Sequence, residues 1–200
     1  MPIAVLCLVL GAASRDAGAR QAGIPAADEV LLRMETSEGA ILLAVDSVAA
    51  PVTATNFLRY VDAGFYEAGT FFRTVRMDNQ PRDSIRIEVI QGGGDTGRRD
   101  QFFDPIPLER TSATGLRHLD GSVSMARSGP DTATHSFFIC IGDQPELDFG
   151  GARNPDGQGF AAFGRVVDGM EVVRRIQAGA AEGQTLTVPV RILRVVRLAR

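Results

Sequence analysis

Val30-Leu31-Leu32-Arg33-Met34-Glu35-Thr36 is followed by Ser37-Glu38-Gly39 and then by Ala40-Ile41-Leu42-Leu43-Ala44-Val45. Two apolar-rich runs of strand length flank a polar turn whose glycine adopts positive φ readily, and the stretch predicts a β-hairpin. The signal changes at Ala50-Pro51. Proline suits the first helical position, Val52, Phe57, Leu58 and Val61 recur at helical intervals, and Gly64 is placed to end the helix. Further on, residues 70–76, 85–91 and 121–126 are strand candidates set among loops rich in Gly, Asp, Pro and Arg. Residues 135–141 and 160–167 are two more, divided by the polar, glycine-rich 150–159. Asp168 is read as the cap of a second helix with Met170, Val173 and Ile176 on one face and Gly179 past its end, and 190–198 is a last β run. Many short strands, only two helices and no strand-helix alternation predict a mainly β fold, a closed antiparallel barrel with helices over its open ends.

Composition narrows the chemistry. With 44% hydrophobic and 22% charged residues among 200, the chain is globular and long enough for one domain with a single core. A net charge of -3 supplies no basic face for nucleic-acid phosphates. All 21 basic residues are arginine, so Schiff-base chemistry and a P-loop lysine are excluded. Cys7 and Cys140 lie in unrelated contexts and predict no disulfide, and two histidines, His118 and His135, without paired spacing imply no metal or other cofactor. Gly92-Gly93-Gly94-Asp95-Thr96-Gly97 reads as a turn after a strand, since no helix opens behind it and no Lys-Ser/Thr pair completes a phosphate loop. His135-Ser136 lacks the Gly-x-Ser-x-Gly elbow of a hydrolase, which leaves His135 structural or exposed. The apolar run 3–10 is too short for a bilayer but is followed by small residues that suit a signal peptidase. Residues 1–29 are therefore read as a signal-like or disordered segment and 30–200 as the domain. Export to the periplasm is expected, a cytoplasmic location is the alternative, and neither membrane insertion nor an oligomer is expected.

Six stretches in order carry a family likeness: Phe71-Phe72-Arg73, Val89-Ile90-Gln91-Gly92-Gly93, Gly121-Ser122-Val123-Ser124-Met125-Ala126-Arg127, Ser136-Phe137-Phe138-Ile139, Glu146-Leu147-Asp148 and Phe160-Ala161-Ala162-Phe163-Gly164-Arg165-Val166. From about Val30 to Leu198 the chain resembles the cyclophilins, peptidyl-prolyl cis-trans isomerases, and looks most like their bacterial branch. The resemblance implies an eight-stranded antiparallel barrel capped by two α-helices. It assigns Arg73 as the catalytic arginine, Gln91 as the glutamine beside it and Phe138 as the floor of a proline pocket. Val89 and Leu147 become walls and Ala126 a backbone contact. Ser136, Arg127 and Phe160, further substrate-binding candidates, stand where the family has glutamine, asparagine and histidine. Glu146 replaces a tryptophan, Phe72 a histidine, and Glu88-Val89 a phenylalanine-methionine pair. Glu88 is expected to remove an apolar wall, which Met77, in an insertion over 77–86, partly refills.

The implied reaction fits residue types of this kind. Twisting a peptide bond costs about 18–20 kcal/mol in lost resonance, whereas the two X-Pro isomers differ by about 0.5–1 kcal/mol. No nucleophile is needed, only an apolar slot for the proline ring and a donor aimed at the amide as it turns. An arginine supplies a permanent charge and a rigid fork of donors. The sequence thus predicts an isomerase acting on proline-containing polypeptides and assisting their folding. A module that binds proline-containing segments without useful catalysis is the alternative, motivated by Glu88, Ser136 and Glu146, and a small-molecule-binding barrel is a third reading.

Overall fold

A computed structural model of the chain describes residues 28–80 and 84–199. The signal-like reading of 1–29 lies, as far as residue 27, outside the described residues, as do Cys7 and residues 81–83 of the insertion.

The hairpin forms where expected: β1 (Glu29–Thr36) and β2 (Gly39–Asp46) pair antiparallel from Glu29↔Asp46 to Thr36↔Gly39. Next come α1 (Pro51–Asp62), β3 (Thr70–Val75), β4 (Val89–Gly93), a 3₁₀ segment (Thr96–Gln101) and α2 (Thr111–Thr114). The chain continues through β5 (Ser122–Met125), β6 (Phe137–Cys140), a 3₁₀ turn (Pro145–Leu147), β7 (Ala161–Asp168) and α3 (Met170–Gln177). It ends in β8 (Ala181–Glu182) and β9 (Thr185–Arg197). The strands run side by side as β1-β2-β7-β5-β6-β4-β3-β9, and β9 pairs back onto β1, so eight strands close on themselves while β8 only hairpins with β9. Every ladder is antiparallel, and closure leaves the barrel strands no free edge.

Pro51 opens α1 without a side-chain cap of its own. The orphan N–H groups of Val52 and Thr53 instead donate to the Glu109 carboxylate, at 3.0 and 2.6 Å, where the anion also meets the positive end of the helix dipole. The helix packs on β2, β7 and β9. Its Phe57 meets Tyr66, Phe137 and Phe163 at centroid distances of 5.0, 5.4 and 5.0 Å, and each such pair adds about 0.5–1.5 kcal/mol beyond area burial. Helix α3 lies against β2, β3 and β4 and buries Val172, Val173 and Ile176, with Met170 only partly covered.

Four local expectations are corrected. Asp168 does not cap α3: it pairs with Leu42 as the last residue of β7, and Gly169, at φ 91°, takes the cap position. A Cβ there would stand 2.5 Å from the Ala40 carbonyl oxygen, so the approach of the helix to β2 requires glycine. Residues 85–88 are not strand; the Gln80 side chain substitutes for a ladder, donating to the Ile87 carbonyl at 2.8 Å and accepting from its N–H at 3.3 Å. Strand β9 starts at Thr185 rather than at 190. A third helix, the four-residue α2, joins the two that were expected.

Sheet alternation divides the apolar residues between two clusters. Phe137 and Ile139 face the barrel core with Phe71, Ile90 and Phe163. Phe138 and Cys140 face the other way into a smaller cluster with Val75, Ile87, Val89 and Leu147, against which Ala126 and Phe160 pack. Cys140 is a buried free thiol whose pKa is pushed up by burial, with Asp148, Asp120 and Asp143 adding to the effect.

Candidate active site

The smaller cluster is the floor of a surface pocket. It is lined by Arg73, Ile87, Val89, Gln91, Ala126, Arg127, Phe138, Leu147, Arg153, Asn154 and Phe160, and its volume is about 330 Å³. Eight of the nine residues singled out from the sequence therefore meet in one place although they come from β3, β4, β6, the segment just after β5, the Pro145–Leu147 turn and the segment leading into β7.

Arg73 enters from β3. The register shifts between Phe71 and Arg73 in both of that strand's ladders, and beyond the shift Arg73 pairs with Gln91 on β4 and Thr185 on β9. Such an irregularity re-aims a side chain. The Arg73 guanidinium donates through Nη1 to Gln91 Oε1 at 2.8 Å, and through Nε and Nη2 to Gln184 Oε1 at 3.0 and 2.5 Å. Gln91 in turn donates through Nε2 to Ser136 Oγ at 3.0 Å, and that hydroxyl donates to the Gly92 carbonyl at 3.0 Å. The chain of bonds settles which end of the Gln91 amide points at the arginine. Ser136 is thus the exception among the predicted contacts: it stands behind Gln91 and is not part of the pocket lining.

Phe138 meets Phe160 edge-on, with centroids 5.3 Å apart. Behind Phe138 lies His118, whose Nδ1 is 2.7 Å from Asp148 Oδ1 and whose Nε2 is 2.9 Å from Ser124 Oγ. The Asp148 carboxyl feels burial most strongly, which raises its pKa. The His118 hydrogen bonds from side chain and backbone, its charge, and the Arg117 guanidinium together outweigh burial and hold the group below the usual carboxylate value. Ser124, His118 and Asp148 follow the order of a hydrolytic triad, but Ser124 and His118 are buried and neither lines the pocket, so the chain of bonds supports the floor.

At the rim, Arg127 is clamped to Asp156 through Nη1 and Nη2 at 2.7 and 2.9 Å, donates to the Gly159 carbonyl at 2.8 Å and lies over the Phe160 ring. Its hydrogen bond, with help from the Gln158 N–H, lowers the Asp156 pKa to about 2. Arg153 donates to the Ile85 carbonyl at 2.6 Å and so ties the 150–159 loop to the insertion.

The wall that Glu88 was expected to remove is present. Ile87 and Val89 both line the pocket, because alternate residues of an extended chain share a face and Glu88 between them points away, accepting from Gln177 Nε2 at 3.2 Å. Met77 does not refill anything; it is 47% exposed and outside the lining. Phe72 is outside the lining as well. Glu146, on the 3₁₀ turn, accepts from the Ala152 N–H at 2.8 Å and stabilises its own loop. His135 takes a structural part: its Nδ1 accepts from the Gly94 N–H at 2.9 Å, Phe102 packs on its ring, and burial, with Arg99 adding, lowers its pKa.

Sequence reading missed Ile87, Arg153, Asn154 and Gln184. Ile87 was legible in the alternation around Glu88. The other three belong to loops that only the closed barrel brings near Arg73 and Phe138.

Residues 31–197 match the family model described as cyclophilin type peptidyl-prolyl cis-trans isomerase/CLD. Peptidyl-prolyl cis-trans isomerase A of Dickeya dadantii is 41% identical over 144 residues, 72% of this chain and 68% of that protein. Peptidyl-prolyl cis-trans isomerase B of Escherichia coli is 34% identical over 156 residues, 78% of this chain and 88% of that protein. Among solved structures, a cyclophilin type peptidyl-prolyl cis-trans isomerase of Cryptosporidium parvum superposes with a TM-score of 0.66 at 21% identity, covering 86% of this chain and 99% of that one. The fold agrees even where little sequence does.

Proposed function

The chain belongs to the cyclophilin-type peptidyl-prolyl cis-trans isomerases, and from that premise we propose that Arg73 lowers the rotation barrier of the bond preceding a proline seated on Phe138. The enzyme isomerises proline-containing peptides. The proline ring enters the slot formed by Phe138, Leu147, Phe160, Val89 and Ile87, where apolar burial anchors it. As the bond twists, resonance is lost and the prolyl nitrogen regains its lone pair. Arg73 donates to that nitrogen, an interaction strongest midway through the turn, so the group stabilises the twisted state more than either planar isomer. Gln91 and Gln184 are neutral amides that orient the guanidinium of Arg73 without cancelling its charge. Ala126, just past the end of β5, meets the substrate backbone, and Arg127 with Phe160 shapes the space beside the residue flanking proline.

The observation that carries this reading is the bond from Arg73 to Gln91 at the edge of a pocket floored by Phe138. Cis-to-trans exchange in a short Ala-Pro-Phe peptide tests it. Arg73→Ala lowers kcat/KM by a factor of about ten or more, equivalent to about 1.4 kcal/mol of transition-state stabilisation. Parent-like turnover in that variant refutes the assignment.

The physiological setting proposed is the periplasm, with the enzyme acting as a monomer on exported chains during folding. The support is the apolar run 3–10 and the small residues after it. Cell fractionation combined with N-terminal sequencing of the mature protein tests it, and an intact N-terminus in the cytoplasm overturns it.

A further inference from the structure

The hairpin joining β8 to β9 turns at Gly183, which has φ 59°, and carries Gln184 at its tip. Its backbone is tied down on the β3 side. The Gln184 carbonyl accepts from the Thr74 N–H at 2.9 Å, one residue beyond Arg73, and the Gly183 carbonyl accepts from Asn79 Nδ2 at 3.1 Å. Asn79 is itself fixed, its Oδ1 accepting from the Arg76 N–H at 2.8 Å and its Nδ2 donating to the Thr74 carbonyl at 3.0 Å. The tip is therefore a rigid platform beside Arg73, and it places one amide oxygen between Nε and Nη2 of the guanidinium.

A single hydrogen bond, such as the one from Nη1 to Gln91, leaves a long arginine side chain able to swing about its outer torsions. A second acceptor chelating the Nε–Nη2 edge fixes the plane of the fork, because the guanidinium is flat and its donors lie in set directions. Gln184 does not line the pocket, so its effect on a substrate is exerted through Arg73. We infer that Gln184 is a positioning residue for the isomerisation, holding the Arg73 guanidinium in the plane from which it meets the twisting imide. The inference rests on the catalytic reading of Arg73.

The test combines Gln184→Ala, Gln184→Glu, Arg73→Ala and the Gln184→Ala/Arg73→Ala pair in the Ala-Pro-Phe exchange assay. The Nε–Hε resonance of Arg73, identified by its loss in Arg73→Ala, is followed by NMR. Gln184→Ala lowers kcat on the order of three- to tenfold with KM little changed, since one hydrogen bond to a charged group is removed. It also shifts the Nε–Hε resonance, whereas Gln184→Glu, which keeps an oxygen acceptor but adds a negative charge that offsets part of the guanidinium's, keeps that proton hydrogen-bonded while its rate stays below the parent's. In the Arg73→Ala background the Gln184 change has no further effect. If the alanine variant fails to fold, Gln184→Met, of similar length without the acceptor, carries the same expectations. Parent-like kcat in Gln184→Ala, or an equal loss with and without Arg73, overturns the inference while leaving Arg73 in place. Parent-like turnover in Arg73→Ala alone overturns the site reading and this inference together.

Discussion

The rings of His118 and Phe138 stack with centroids 5.9 Å apart and planes 14° from parallel, so the floor of the proline pocket is backed by a buried imidazole. Asp148 and Ser124 hold that imidazole from both nitrogens.

His118→Ala removes the support, takes the imidazole from Ser124 and leaves Asp148 with only the backbone N–H of residue 118 and Arg117. The expected loss is about 2–4 kcal/mol of stability, from the cavity and the unsatisfied groups. KM for the peptide rises because Phe138 can sink into the space. Urea unfolding and steady-state kinetics measure the two effects, and a variant of unchanged stability speaks against the backing role.

The depressed pKa of Asp148 has a definite sign for acid stability. A carboxyl whose folded pKa lies below its unfolded value contributes stability above the unfolded pKa and loses it as pH falls through the folded one. The ordinary value is 3.8 and the folded value lies beneath it, so this contribution is complete above about pH 5 and fades below about pH 4. Denaturation midpoints followed from pH 6 to 2 show a shallower acid limb in Asp148→Asn than in the parent. Identical slopes would contradict the assignment.

The facing of residues 87–89 separates three substitutions. Ile87→Ala opens the pocket wall and costs about 2–4 kcal/mol in stability with a higher KM, as for other buried aliphatic truncations. Met77→Ala and Glu88→Ala leave KM unaltered, because neither side chain reaches the pocket. Kinetics on the three variants check this, and a raised KM in Met77→Ala would restore the idea that Met77 rebuilds the wall.

Arg73→Lys keeps the charge but loses the planar fork that Gln91 and Gln184 grip. Its kcat/KM falls nearly as far as that of Arg73→Ala, by a factor of about ten. Activity within about twofold of the parent would show that charge alone suffices.

Elements with a local physical signature were legible in the order of residues. The hairpin showed in its two apolar runs and the glycine between them, and α1 in Pro51 and the spacing of Phe57, Leu58 and Val61. The start of β9 was not legible: Thr185, Thr187, Val188 and Pro189 are exposed and show no apolar run, and that part of the strand exists because the neighbouring β3 and β8 pair with it. Asp168 had the look of a cap, yet pairing with Leu42 claimed it for β7.

The site divides in the same way. Side-chain chemistry, written along the chain, determined that an arginine, a glutamine and a set of apolar groups were available for amide rotation, and the six ordered stretches tied them to one family. Which residues turn toward each other was decided by barrel closure. It set Glu88 outward and Ile87 inward, slid Ser136 behind Gln91, and brought Gln184 across 111 positions of chain to the guanidinium of Arg73. Alternation and register are properties of paired strands, and pairing between distant segments is selected by the collective burial of the core rather than by any residue's own preference.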